Sequence, residues 1–241
     1  MCGRFSQFHS WEEVHAYLNI FGPPRNLPMR YNIAPTQNAA VVRYGGTGGG
    51  MGGGQGRSLS FLRWGFIPSW AKDSSMAARM INARGETVAE KPSFRGAFAK
   101  RRCLVPADGF YEWRGEKGAK QPYRILGPAR GLFAFAGLWE RWDKGAEGPV
   151  ESFTILTTAA NAKLAGVHAR MPVILDPADF AAWLSPELAA NDALALLRPA
   201  PDDAVDFYPV STHVNNARND DPRCIAPLRE DASLIPPTKE G

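Results

Sequence analysis

Short strand-like runs separated by turn residues recur along most of the chain, and this pattern limits the folds that the chain can adopt. Such runs lie at 39–44, 59–67, 102–105, 110–114, 123–126, 132–139, 152–158 and 173–175. Helical stretches between them are few, whereas a doubly wound parallel sheet needs a helix after nearly every strand. We therefore expect a single α+β domain over residues 1–241, with a curled, barrel-like antiparallel or mixed sheet and peripheral helices.

Three helices have recognisable start signals. Ser10 and Glu13 have the spacing of a capping box, in which each side chain bonds the other residue's backbone N–H, and they predict a helix to about residue 20. This helix is expected to anchor the N-terminus and hold Cys2 in one place. Asp176 and Ser185 each precede a proline, which is tolerated at the first helical position, and they predict two further helices.

Two segments are poor material for a packed core. Residues 45–56 contain nine glycines in twelve positions, and glycine loses the most backbone entropy on ordering. We expect a flexible hairpin loop there. It is not a phosphate-binding loop, because the Lys-Ser/Thr ending and the following apolar helix are missing. The proline-rich tail from about residue 220 is expected to be irregular.

Composition excludes several classes of protein. The chain has no apolar run of about 18 residues and no secretory signal at its start, so we expect a cytoplasmic, nucleoid-associated protein that is neither secreted nor membrane-bound. Its three cysteines lack CxxC spacing, which argues against a disulfide framework and against a metal site.

Positive charge is concentrated in one stretch. Between residues 79 and 102 there are seven Lys/Arg and two Glu, although the net charge of the whole chain is only +4. Such a concentrated basic stretch favours a polyanionic partner.

The second residue, Cys2, offers unusual chemistry. Once Met1 is removed, Cys2 carries a free α-amine and a thiol two carbons apart. An α-amine has a pKa of about 7.7–8.0 against about 10.4 for lysine, so far more of it is neutral and nucleophilic near pH 7. A 1,2-aminothiol can condense with an aldehyde to a Schiff base and then close to a thiazolidine, whereas at an amide carbonyl only its sulfur can act.

Asn82, Glu112 and His168 are candidate partners for Cys2, although they lie far apart in sequence. Glu112 falls in the aromatic segment 110–113. A carboxylate there is either ion-paired on a polar face or buried with a raised pKa, and only the buried case suits acid–base catalysis.

Six segments in order resemble one known family. They are Met-Cys-Gly-Arg-Phe at 1–5, Tyr-Asn-Ile-Ala-Pro at 31–35, Trp-Gly-Phe-Ile-Pro-Ser-Trp at 64–70, Asn-Ala-Arg-Gly-Glu-Thr at 82–87, Arg-Cys-Leu-Val-Pro with Gly-Phe-Tyr-Glu-Trp at 102–113, and His-Ala-Arg-Met-Pro at 168–172. The chain resembles the SRAP (SOS response-associated peptidase) family of abasic-site processing proteins over residues 2 to about 227. Gly85 departs from it, because the family commonly has alanine there, and the 45–56 insert replaces a shorter loop.

The resemblance implies a protein that binds single-stranded DNA and forms a covalent thiazolidine crosslink with abasic sites through Cys2, shielding the lesion. It makes Cys2 the nucleophile, Asn82 the group that holds the cysteine and the sugar, Glu112 the acid–base group and His168 a proton carrier. It also implies AP-lyase-type Schiff-base chemistry, self-removal of Met1 and no cofactor or metal. We expect a monomer, and the sequence identifies no protein partner. The residues it places against DNA are Arg4, Trp70, Arg84, Trp113 and Arg170.

Two alternatives remain open from the residues themselves. An N-terminal-nucleophile glutamine amidotransferase would also begin with a processed cysteine followed by glycine. A single-strand-binding protein without chemistry would explain the basic stretch but not the position of Cys2. Covalent attachment to an abasic strand separates the three.

Overall fold

The computed structural model describes residues 2–45, 56–116 and 118–228. The strands are β1 (Phe5–Gln7), β2 (Arg30–Ile33), β3 (Asn38–Tyr44), β4 (Arg57–Trp64), β5 (Asn82–Arg84), β6 (Arg102–Ala107), β7 (Gly109–Arg114), β8 (Gln121–Leu126), β9 (Phe133–Trp142), β10 (Val150–Ala159), β11 (Arg170–Pro172), β12 (Ile174–Leu175) and β13 (Asp206–Pro209). The α-helices are α1 (Trp11–Leu18), α2 (Arg95–Lys100), α3 (Ala162–Ala165), α4 (Phe180–Leu184) and α5 (Ala190–Ala195). Most of the predicted glycine-rich loop and the last thirteen residues lie outside the described ranges.

Five long strands close into a barrel. Strand β10 pairs with β4, β4 with β3, β3 with β6, β6 with β9, and β9 returns to β10. The β4–β10 pairing is parallel and the other four are antiparallel, so the sheet is mixed. The expected α+β fold with a barrel-like mixed sheet is confirmed.

A second sheet carries the N-terminus. Its strand order is β13-β8-β7-β1-β2, and its pairings are antiparallel. Strand β1 lies between β2 and β7, with Phe5 opposite Ile33 on one side and Phe110 on the other. The sequence patterns do not predict β1 or β2.

Two main hydrophobic clusters fill the molecule. The first joins the barrel to the helices and includes Val14 of α1 and Trp183 of α4. The second joins the barrel to the second sheet and includes Cys2, Phe5 and Trp64. The Phe5 ring meets Trp64 edge-on with centroids 5.0 Å apart, a favourable aromatic geometry. Cys2 belongs to the second cluster and α1 to the first, so the packing around Cys2 comes from the two sheets rather than from α1, contrary to expectation.

The helix signals had mixed outcomes. The capping box of Ser10 and Glu13 is present, and α1 ends at Leu18, two residues before the predicted limit. Asp176 caps the turn that leads into α4. The helix predicted after Ser185 begins instead at Ala190 as α5, because the Ser185 hydroxyl caps only a local turn by accepting from the Glu187 N–H.

No helix in the described ranges combines the length and the apolar character needed to cross a membrane. The expected irregular tail contains one short 3₁₀ turn at Pro222–Cys224 before the described residues end at 228.

Candidate active site

Cys2 is fully buried at the start of the second sheet. The Tyr111 N–H donates to the Arg4 carbonyl oxygen across 2.9 Å, which continues the β1–β7 ladder toward the N-terminus. Burial raises the pKa of the Cys2 thiol, and the nearby Glu112 charge raises it further. The sulfur is therefore a thiol rather than a thiolate near neutral pH.

Asn82 binds the backbone of Cys2. It is the first residue of β5, which pairs in parallel with β10 through Ile155. Its Nδ2 donates to the Cys2 carbonyl oxygen across 2.8 Å. Its Oδ1 is buried and accepts no hydrogen bond from any described residue. Asn82 thus ties the N-terminal segment to the barrel side of the site and leaves one acceptor available there.

Glu112 lies in β7 with only 5% of its surface exposed. Desolvation by burial raises the pKa of its carboxyl, and the His168 charge opposes that rise. Of the two environments that the sequence left open, the buried one with a raised pKa is confirmed. The Glu112 charge also raises the pKa of the Cys2 thiol, so the two groups interact electrostatically. A buried carboxyl with a raised pKa is suited to donate a proton to a reacting group.

His168 lies just before β11, and its Nδ1 is 4.0 Å from Glu112 Oε1. The backbone N–H of Arg170 donates to the same Nδ1 across 3.0 Å. The Arg170 carbonyl oxygen lies 3.1 Å from the same Nδ1, so this nitrogen accepts the N–H in one neutral tautomer and donates to the carbonyl in the other. The structure therefore brings Cys2, Asn82, Glu112 and His168 together from four separate segments.

The three arginines expected at DNA have different surroundings. Arg4 points inward: its guanidinium donates to Asn32 Oδ1 at 2.9 Å and to the Val214 carbonyl at 2.7 Å. The Arg84 side chain is exposed and makes no hydrogen bond or ion pair with another described residue, although its charge helps to lower the pKa of Glu86. Arg170 is paired with Glu86. Contact of these arginines with DNA stays a prediction, and the internal bonds of Arg4 give it a structural role besides.

The two tryptophans also differ. Trp70 is 55% exposed in the segment after β4. That segment turns at Gly65, whose φ of +126° and whose closeness to the Ala77 carbonyl, 2.7 Å from an ideal Cβ, leave no room for a side chain. Trp113 is partly buried, and its indole N–H donates to Asn215 Oδ1 across 2.7 Å. Trp70 thus has an exposed ring face, whereas the ring of Trp113 is held by the hydrogen bond from its indole N–H to Asn215.

Sequence reasoning gave no role to Asn32 and Asp220, which support the N-terminal segment. Asn32 is fully buried and donates to three carbonyls of the 214–219 segment while accepting from Arg4. Asp220 Oδ1 accepts the backbone N–H groups of Tyr31 and Asn32. A buried asparagine in a motif otherwise made of apolar and proline residues was the available signal, but its partners lie about 180 residues away.

One group of residues has the composition of a metal site. His213, Asp221 and Cys224 place possible ligand atoms within 4.8 Å of one another. Asp221 already bonds His213 Nε2 at 3.0 Å and Arg223 Nη2 at 2.9 Å, and Asn219 Nδ2 lies 3.0 Å from the other ring nitrogen. These contacts occupy the lone pairs that a metal would need. The absence of a metal from the protein's chemistry stays a prediction.

The whole chain has clear relatives. It is 41% identical over 229 residues to the abasic site processing protein YoqW of Bacillus subtilis (strain 168), which covers 93% of this chain and 99% of that protein. It is 39% identical over 198 residues to the abasic site processing protein HMCES of Gallus gallus, covering 71% of this chain and 58% of the longer relative. A crystal structure of a Bacteroides thetaiotaomicron protein superposes with a TM-score of 0.81 at 27% identity, over 94% of this chain and 100% of that one. A family model described as SOS response associated peptidase (SRAP) matches residues 1–217, and the chain belongs to the SRAP family.

Proposed function

We propose that this protein binds single-stranded DNA and forms a covalent thiazolidine crosslink with abasic sites through Cys2. The observation that carries the proposal is the convergence of the Cys2 backbone, held by Asn82 across 2.8 Å, with a buried carboxyl and an imidazole 4.0 Å apart. The named activity of its relatives, abasic site processing, supports the same substrate.

The amine of Cys2 acts first. An abasic sugar in its open form presents an aldehyde at C1′, and hydrolysis of the Met1–Cys2 peptide bond must precede attack by the α-amine. Since burial raises the pKa of the Cys2 thiol, the sulfur is protonated and the neutral amine is the stronger competitor for the aldehyde. Attack gives a carbinolamine, whose hydroxyl must leave as water.

Glu112 supplies and then takes back a proton. Its protonated carboxyl donates to the departing hydroxyl, which leaves an iminium and a Glu112 carboxylate. The Cys2 sulfur then adds to C1′ and passes its proton to that carboxylate. The aminothiol and the aldehyde have joined with loss of one water, and Glu112 has returned to its starting state.

His168 and Asn82 assist at the sugar. The closed hemiacetal opens when a base removes the C1′ hydroxyl proton and an acid protonates the ring oxygen, and the imidazole of His168 can carry that proton. The unpartnered Oδ1 of Asn82 accepts from the freed amine of Cys2 or from a sugar hydroxyl. Buried acceptors of this kind are costly unless a ligand satisfies them.

The iminium stage accounts for lyase chemistry. An iminium at C1′ acidifies the C2′ hydrogens and permits elimination of the 3′ phosphate. Addition of the sulfur removes the iminium, so the thiazolidine protects the strand.

We also propose that the same site removes Met1. The Cys2 thiol adds to the Met1 carbonyl carbon, the C–N bond breaks as the Cys2 nitrogen takes a proton from Glu112, which regains one from the thiol, and water hydrolyses the thioester to release methionine. Retention of Met1 in a Glu112→Gln variant would support this.

DNA is held without reading its sequence. Exposed Arg84 can contact phosphates, and the free face of Trp70 can stack on an unpaired base, which is worth about 1–3 kcal/mol for any base. The missing base, which leaves the sugar accessible, then provides the selectivity.

Mature protein incubated with an abasic single-stranded oligonucleotide should give an adduct that survives denaturation. Cys2→Ala should give none. Once Met1 has been removed from the variant by an added aminopeptidase, Cys2→Ser keeps the α-amine without the thiol, so it should form only a Schiff base that needs hydride reduction for trapping, with increased strand cleavage. A normal adduct yield from Cys2→Ala would overturn the proposal. Binding without any adduct would favour a non-covalent single-strand binder, and glutamine hydrolysis without an adduct would favour an amidotransferase.

A further inference from the structure

Glu86 occupies one face of the Arg170 guanidinium. Nη1 donates to Oε1 and Nη2 to Oε2, each across 2.9 Å, which is the bidentate arrangement that guanidinium also forms with a phosphate. A carboxylate and a phosphate thus need the same pair of N–H groups, and only one of them can have both.

The opposite face of Arg170 is fixed by Thr157. Arg170 Nη2 donates to the Thr157 carbonyl across 2.7 Å, and Nε lies 3.3 Å from its hydroxyl oxygen. The Arg170 side chain is 18% exposed and that of Glu86 is 51% exposed. If Glu86 swings away, Arg170 therefore stays in place with one bidentate face open to solvent.

The pair lies beside the reactive residues. Glu86 follows β5, which begins at Asn82, and Arg170 begins β11, two residues after His168. Strand β10 separates the two, and its Thr157 is opposite both Arg84 and Pro172 in the ladders. The Glu86–Arg170 contact thus connects the segment after β5, the strand that carries Asn82, with β11, the strand that follows His168.

We propose that Glu86 is an internal competitor for DNA: its carboxylate holds the face of Arg170 that a backbone phosphate takes in the complex, and binding displaces it. This inference rests on the proposed function, because it requires DNA at Arg170. A partly exposed ion pair is worth about 0–1 kcal/mol, so a phosphate that is also held elsewhere on the protein displaces Glu86, whereas a loosely held anion does not. Glu86 therefore favours binding of a strand that also contacts the protein elsewhere over binding of an anion that contacts Arg170 alone.

The test compares Glu86→Gln with Glu90→Gln, which removes another exposed negative charge four residues further on. Affinity for an intact oligothymidine is measured over a range of salt concentrations. Glu86→Gln should bind up to about fivefold tighter, and its log–log salt slope should be steeper by about 0.7, because no freed carboxylate takes up a cation on binding. Glu90→Gln should change neither quantity to that extent.

A double-mutant cycle separates competition at Arg170 from a general charge effect. The gain from Glu86→Gln should vanish in an Arg170→Gln background, with Arg170→Lys as the second background if the first does not fold. An equal gain with and without Arg170, or from Glu90→Gln, would overturn the inference. The wild-type adduct with abasic DNA is measured in parallel: a normal adduct without a Glu86 effect rejects this inference alone, whereas no binding by the wild type rejects both proposals.

Discussion

The side-chain amide of Asn82 donates a 2.8 Å hydrogen bond to the carbonyl oxygen of Cys2. It joins a three-residue strand at the barrel to the segment before β1, where Cys2 has no strand pairing with any described residue. The position of the reactive residue therefore depends on a contact between segments 80 residues apart.

Replacement of Asn82 by alanine should slow crosslinking more than it affects folding. Loss of a typical hydrogen bond costs about 0.5–1.5 kcal/mol of unfolding free energy. A loss of the same size in the positioning of Cys2 would slow crosslinking roughly two- to tenfold. The rate is followed by denaturing gel and stability by urea unfolding. Asn38→Ala, at an exposed position on β3, is the matched control. An unchanged rate in Asn82→Ala would remove Asn82 from the site.

Glu112→Gln, prepared with Met1 already removed and checked by intact mass, should lose acid–base assistance and crosslink about a hundredfold more slowly or worse. Glu116→Gln, an exposed change in the following loop, should have no such effect. A crosslinking rate in Glu112→Gln within a few-fold of wild type would contradict the role assigned to this carboxyl.

The same variant has a pH signature in its stability. Because burial raises the pKa of Glu112, the folded protein keeps a proton that the unfolded chain loses above about pH 4.3. The Glu112 contribution to the free energy of unfolding therefore falls as pH rises from about 4.3 to the raised pKa. Glu112→Gln lacks this loss, so its melting temperature relative to wild type should be higher at pH 7.5 than at pH 4. The opposite trend would mean that the ionised carboxylate is stabilised in the fold.

Trp70→Ala should weaken binding of intact single strands without destabilising the fold. Loss of one stacked base costs about 1–3 kcal/mol, or roughly five- to 150-fold in affinity. The ring is 55% exposed, so little packing is lost. Phe21→Ala removes another exposed ring, 65% accessible, and serves as the control. Equal losses from both variants in a fluorescence anisotropy titration would mean that neither ring has a specific place on the strand.

Arg84→Ala should reduce the salt dependence of that binding. Each phosphate neutralised on a single strand contributes about −0.7 to the log–log slope, so loss of one contact should flatten it by that amount. Arg25, exposed in the loop before β2, provides the control substitution. A slope unchanged by Arg84→Ala would place this arginine outside the interface.

The fold class could be predicted because the long strands carry their own signal. Strands β9 and β10 are apolar runs bounded by turns, and their antiparallel pairing is local. The short strand β2 could not be predicted, since its residues Arg30–Ile33 alternate weakly and a proline follows two positions later, and its pairing with β1 decides its conformation. The parallel pairing of β5 with β10 could not be predicted either, because it joins three residues to a strand about 70 positions away.

The candidate site was accessible from the sequence only in part. The chemistry of an N-terminal aminothiol follows from Cys2 alone, whereas the aromatic residues around Glu112 left both a surface ion pair and a buried acid open. Their grouping with Asn82 and His168 came from the family resemblance, since no local pattern links segments so distant. Arg4 shows the limit of such transfer: its guanidinium is bonded to Asn32 and Val214 inside the protein, which a motif cannot indicate.

Crosslinking through the Cys2 aminothiol is tested most directly by the intact mass of the adduct formed with an abasic oligonucleotide, followed by peptide mapping. The expected mass is that of the chain without Met1 plus that of the oligonucleotide minus one water, with the modification on Cys2. An adduct that retains Met1, or one attached through a lysine, would contradict it.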